Sequence, residues 1–149
     1  MTHAEQAKYN FEHGCNCAQA VLLAFSDLTG LDESTALKLS SSFGGGMGRL
    51  REVCGAVSGM FMAAGLIMDS GRTDSQEEKM AHYARIQALA ARFREEHGSY
   101  ICRELLEGVQ TAPGSAPEAR TEAYYKKRPC ADLCYSAAAI LDEMLQAQK

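Results

Sequence analysis

Residues 53–68 carry no charged side chain, and this stretch constrains the fold more than any other. A run of that length, apolar on every side, suits a helix in the middle of a core. It falls short of the roughly 20 residues that cross a bilayer, and Gly55, Gly59 and Gly65 interrupt it. It therefore predicts a central helix over 52–69. Gly55, Gly59 and Ala63 form a stripe of small residues four apart. Such a stripe lets a neighbouring backbone approach closely.

The flanking segments repeat helical spacing. From Cys17, the apolar residues Val21, Phe25 and Leu28 fall on one face, and Gly30 ends that helix. Asp32 can cap the next, with Ala36, Leu39 and Phe43 on its inner side. Residues 44–48, Gly-Gly-Gly-Met-Gly, then break the chain. Ser75 and Glu78 form a capping-box pattern ahead of a long helix with Tyr83, Ile86, Ala90 and Phe93 on its face, closed by Gly98. Ser99 can cap a short helix holding Cys102, Leu105 and Leu106. Residues 110–117 read as the one substantial loop. Pro129 suits the first turn of a last helix whose inner face is Leu133, Ala137, Ile140, Leu141 and Met144. Strand-like alternation and internal repeats are absent. The expectation is an all-α single domain over residues 1–149, a bundle of about five or six helices around the central one.

Composition narrows the function. A net charge of −4 argues against a nucleic-acid binder held by bulk charge. The N-terminus lacks a basic start followed by an apolar run, so the expected location is cytoplasmic, where thiols stay reduced. Six cysteines among 149 residues then point to redox chemistry, metal binding or plain burial more than to a disulfide framework.

They stand at Cys15, Cys17, Cys54, Cys102, Cys130 and Cys134, with no C-x-x-C among them. Any joint site must therefore be assembled from distant segments. Cys17, Cys54, Cys102 and Cys130 each fall at the expected start of a helix. Unpaired N–H groups and the helix dipole there favour thiolate. Arg49 and Arg51 precede Cys54, and Lys126, Lys127 and Arg128 precede Cys130, pushing the same way. The alternative is that each thiol packs as a small hydrophobe. Cys130 and Cys134, four apart, can face one side; Cys15 and Cys17 converge only if residues 14–15 are loop.

The segments Asn16-Cys17-Ala18-Gln19-Ala20-Val21-Leu22, Phe43-Gly44-Gly45-Gly46-Met47-Gly48, Cys54-Gly55-Ala56-Val57-Ser58-Gly59 and Cys102-Arg103-Glu104-Leu105-Leu106, with Cys130 before an apolar helix, look like the C_GCAxxG_C_C family. These are small helical proteins to which redox activity is ascribed. The resemblance spans nearly the whole chain. It implies that the four family cysteines are Cys17, Cys54, Cys102 and Cys130, with Cys15 and Cys134 as extras. Members are often encoded near transporter genes, which implies a redox or metal task linked to transport.

The remaining motifs carry less. The glycine run lacks the Gly-Lys-Ser/Thr ending of a phosphate-binding loop, so it reads first as a hinge that lets the backbone pass close to the central helix, with a nest holding a thiolate or a cluster sulfur as a further option. His3, His13, His82 and His97 are scattered and read as solvated or capping residues before metal ligands or bases. The basic run at 126–128 reads as a solvated approach to the last helix. Met47, Met60, Met62 and Met68 read as core filler before Cu(I) ligands.

The leading expectation is a thiol-based redox protein whose four helix-start cysteines form one site cycling between dithiol and disulfide, in enzymatic form a thiol–disulfide oxidoreductase. Cys54 would be the attacking thiolate. The partner would be a redox protein or a small oxidant, with no nucleic acid and no membrane span. The alternative is a binding module in which Cys17, Cys54, Cys102 and Cys130 hold Zn²⁺ or an iron–sulfur cluster. A third reading is a scaffold whose small-residue stripe packs helices or a homo-oligomer.

Overall fold

A computed structural model describes residues 1–109, 111 and 113–148. It is an all-α fold. The helical segments are α1 (His3–Glu12), α2 (Cys17–Ala24), α3 (Ser26–Thr29), α4 (Glu33–Ser40), α5 (Gly44–Met47), α6 (Gly55–Met68), α7 (Gln76–His97), α8 (Cys102–Leu105), α9 (Glu122–Lys127) and α10 (Cys130–Ala147). Within the expected loop at 110–117, Gln110 and Ala112 lie outside the described residues.

Helix α1 is an addition to the sequence expectation. Its signal is local: the Thr2 side chain accepts from Glu5 N, and the Glu5 carboxylate accepts from Thr2 N. Ala4, Ala7 and Phe11 give it a narrow buried stripe against α2 and α10. Helix α9, capped by Thr121, is also unexpected. The short α5 falls on the expected break and is a left-handed turn at Gly45 and Gly46 more than a regular helix.

Helix α6 is central as expected, with Ala63 and Ala64 still buried in its second half, and only its last turn reaches the surface. Gly55 to Met60 are all buried, whereas Leu66 near its end is exposed. The small-residue stripe packs against α2. A Cβ on Gly59 would stand 2.6 Å from Ala18 O, and one on Gly55 would stand 3.0 Å from Cys17 Cβ. No other residue type permits that approach, so the stripe presses the start of α2, with Cys17, onto α6.

Several predicted faces shift. The helix expected to run from Cys17 past Leu28 stops at Ala24, and α3 turns Leu28 outward; Leu39 is exposed too. On α7, Tyr83 is 63% exposed, and Leu89 and Phe93 are the buried pair. Ser75 caps α7 as predicted, but Glu78 completes only half of the box. Its carboxylate accepts from Ser70 Oγ instead. In each case a helix that meets few neighbours leaves part of its apolar stripe uncovered, and periodicity alone does not report neighbours.

An unforeseen contact lies between residues 51–54 and 100–103. Val53 and Ile101 form an isolated antiparallel bridge. Cys54 N donates to Tyr100 O at 2.8 Å, and Cys102 N donates to Glu52 O at 2.6 Å. This short ladder fixes the starts of α6 and α8 side by side.

Candidate functional site

Each of the four predicted cysteines stands at a helix start. Cys17, Cys102 and Cys130 open α2, α8 and α10, and Cys54 is the residue immediately before α6. Asn16 fixes the first of these through a reciprocal cap with Gln19. All four line one cavity of about 270 Å³. They are 4–8% exposed, so each is buried but reaches the cavity wall. Cys15 is half-buried and outside the lining, although residues 14–15 are loop. Cys134 is fully buried behind the cavity, where its thiol donates to Cys17 O at 3.8 Å.

The glycine run lines the same cavity, beside Cys102. Gly45, Gly46 and Gly48 have φ of +67°, +69° and +60°. Met47, Arg49 and Arg51 share the left-handed region at +68°, +67° and +62°. Side chains there cost about 1–2 kcal/mol each, and such strain gathers at functional sites. The turn closes through Arg51 N to Gly45 O and Glu52 N to Gly46 O. The glycines are expected to bring the backbone close to the central helix; the close approaches they make are instead to Asn16 and Cys102, at the starts of α2 and α8. A Cβ on Gly44 would meet the Asn16 side chain at 2.6 Å, and one on Gly46 would meet Cys102 Cβ at 2.5 Å.

The cavity is strongly cationic. Arg49, Arg51, Arg120 and Arg128 line it, and Glu118 is the one carboxylate among the described lining residues. Sequence reasoning missed Glu118 and Arg120 because they lie beyond the expected loop. It also took residues 126–128 as solvated, whereas Arg128 is buried and donates to Glu118. A single arginine just before a helix gives no local sign of that pairing. Arg120 is fastened by bonds to the carbonyls of Phe11 and Cys15, with its guanidinium 4.4 Å from the Phe11 ring centroid.

The expected acidic thiols are not found. Burial pushes the Cys54 thiol up to about 12, against the N–H groups of Val57 and Ala56. Contact with Cys130 lowers Cys17, but its interaction with Cys134 and burial outweigh that and hold it well above the ordinary value. Contact with Cys17, and then burial, hold Cys130 well above it too. Burial raises Cys15, Cys102 and Cys134 as well. Desolvation can shift a fully buried group by about 3–5 pKa units, more than a helix terminus returns. The arginine expected to serve Cys54 serves Cys102 instead: Arg51 Nη1 lies 3.8 Å from Cys102 Sγ and opposes the effect of burial there.

The histidines stay outside the cavity lining. His3 bridges Asp27 and Asp142, His13 bonds Tyr9 O, His82 meets Arg85 and His97 meets Ser136. Among the described residues, no group of three or more His, Cys, Asp or Glu side chains is placed to hold a metal ion. The four thiols share a cavity without forming the tetrahedral sulfur set that zinc or a cluster requires. Among the described residues, no helix is long and apolar enough to cross a membrane.

No curated protein and no solved structure shows significant similarity to the chain. Residues 15–144 match the family described as "Putative redox-active protein (C_GCAxxG_C_C)". That match takes in all six cysteines and the whole cationic cavity wall, and the chain belongs to the C_GCAxxG_C_C family.

Proposed function

We propose that the protein is a thiol-based redox protein in which two of Cys17, Cys54, Cys102 and Cys130 cycle between dithiol and disulfide. One observation carries this reading. Four thiols from four separate helix starts line one cavity, an arrangement that indifferent packing does not require. Cys17 and Cys130 also interact side chain to side chain.

The attack starts at Cys102. Thiolate is the nucleophile in disulfide exchange, and burial makes it costly at all four sites. Arg51 donates to the sulfur of Cys102 and stabilises the charged form there. Cys54, pushed up to about 12, has only backbone N–H groups to offset its burial and is better suited to a later step.

Differential alkylation of reduced and diamide-oxidised protein, read by peptide mass spectrometry, tests the reading. Oxidation is expected to protect two of the four cavity thiols and leave Cys15 labelled as before. Equal labelling of all six cysteines in both states would remove the cycling mechanism.

A further inference from the structure

The charge of the cavity opposes that of the protein. The chain carries −4 overall, yet four guanidinium groups and one carboxylate line this recess. Glu118 is shared among three of them, pairing with Arg128 and lying 3.7 Å from Arg49 and 3.8 Å from Arg51. Arg120 is held by two backbone carbonyls, and Arg49 Nε donates to Gly114 O.

Arg51 differs from its neighbours. Its Nη1 donates to Cys102 Sγ, while its Nη2 is buried and makes no hydrogen bond among the described residues; its charge partner is Glu118 Oε1 at 3.8 Å, beyond hydrogen-bond reach. Buried donors are ordinarily satisfied. Here a donor without a hydrogen bond sits on the same planar group that touches a thiol, where a carboxylate that displaces Glu118 from this loose pairing would present its neighbouring atoms to that sulfur. The cavity volume of about 270 Å³ suits a small molecule.

We propose that the cavity takes a small disulfide bearing a carboxylate, with Arg51 Nη2 holding the carboxylate while Cys102 attacks the disulfide. This rests on the redox reading above. The Cys102 thiolate bonds to one substrate sulfur, and the substrate S–S bond breaks. The departing thiolate takes up the proton that Cys102 released. A second cavity thiol then attacks Cys102 Sγ, forms the intrachain disulfide and expels the other half as a second thiol. Two protein thiols are oxidised, and one substrate disulfide is reduced to two thiols.

The test uses reduced full-length protein and three disulfides of similar size: 3,3′-dithiodipropionate (anionic), 2-hydroxyethyl disulfide (neutral) and cystamine (cationic). Initial rates of protein thiol loss are counted by mass spectrometry and normalised to each reagent's rate with free 2-mercaptoethanol. The expected order is anionic, neutral, cationic, with about tenfold or more between the first two at low salt. The overall negative charge predicts the reverse order, so it cannot imitate this result. The anionic-to-neutral ratio should shrink with added salt, fall towards one in Arg51→Met and persist in Arg51→Lys. Taking a ratio cancels the loss of thiolate stabilisation that Arg51→Met also causes. Oxidation by all three without a charge order, or a ratio unchanged in Arg51→Met, overturns the anion assignment and leaves the redox reading standing. Failure of every disulfide to oxidise any thiol overturns both.

Discussion

Gly46 is the position at which the site geometry can be challenged most directly. Its φ is +69°, and an added Cβ would stand 2.5 Å from Cys102 Cβ and 2.9 Å from both Arg51 Cα and Glu52 N. Two costs therefore combine in Gly46→Ala. A side chain in the left-handed region costs about 1–2 kcal/mol, and overpacking a closed site costs about 1–3 kcal/mol. The sum is about 2–5 kcal/mol. For a chain of this size that lowers Tm by about 4–20 °C. Two controls separate the contributions. Gly71→Ala has the conformational cost alone, because φ is +74° with nothing within 4 Å. Gly59→Ala isolates crowding against Ala18 O at 2.6 Å. Thermal and urea unfolding give the stabilities, and iodoacetamide labelling reports Cys102. Gly46→Ala should be the least stable of the conformationally strained pair and should change the labelling rate of Cys102 where Gly71→Ala does not. A Gly46→Ala protein as stable as Gly71→Ala, with Cys102 labelling at the wild-type rate, would refute the claim that the glycine turn is pressed against this thiol.

Two further predictions concern pH. The Cys54 thiol, held at about 12 by burial, stays protonated in the fold while it ionises in the unfolded chain near its ordinary value. Its contribution to stability is complete below that ordinary value and is lost as pH rises through the folded one, at about 1.4 kcal/mol per pH unit. Urea unfolding between pH 8 and 11 should therefore show a falling stability that is shallower in Cys54→Ala. His3 is raised by Asp27 and Asp142 despite the opposing effect of its burial. The stability it adds is full below its ordinary value of 6.5 and fades as pH climbs through the raised one. The Tm gap between wild type and His3→Gln should thus be larger at pH 5.5 than at pH 8.

Much of the secondary structure was legible in the residues. The central helix, the Ser75 start and Gly98 end of α7, and Pro129 ahead of α10 follow from caps and spacings that act within a few residues. The placement of four cysteines at helix starts was legible for the same reason. Helix α1 was legible too, in Thr2 and Glu5, although its short alanine-rich stripe gives a weak periodic signal. The bridge between Val53 and Ile101, the burial of Arg128 against Glu118 and the seating of Arg120 on Phe11 left no local trace. The first and the last join segments far apart along the chain, and Glu118 and Arg128, ten residues apart, lie on either side of α9, beyond the reach of helical spacing.

The amino-acid order determined where helices begin, which residues cap them and that a thiol stands at four of those beginnings. These are consequences of backbone hydrogen bonds and side chains three or four positions away. Tertiary structure decided that the thiols share one cavity, that Arg51 meets Cys102 in place of Cys54, and that all six thiols are made less acidic. Desolvation sums over every atom that surrounds a group, whichever part of the chain supplies it, and so it is fixed only when the helices have packed.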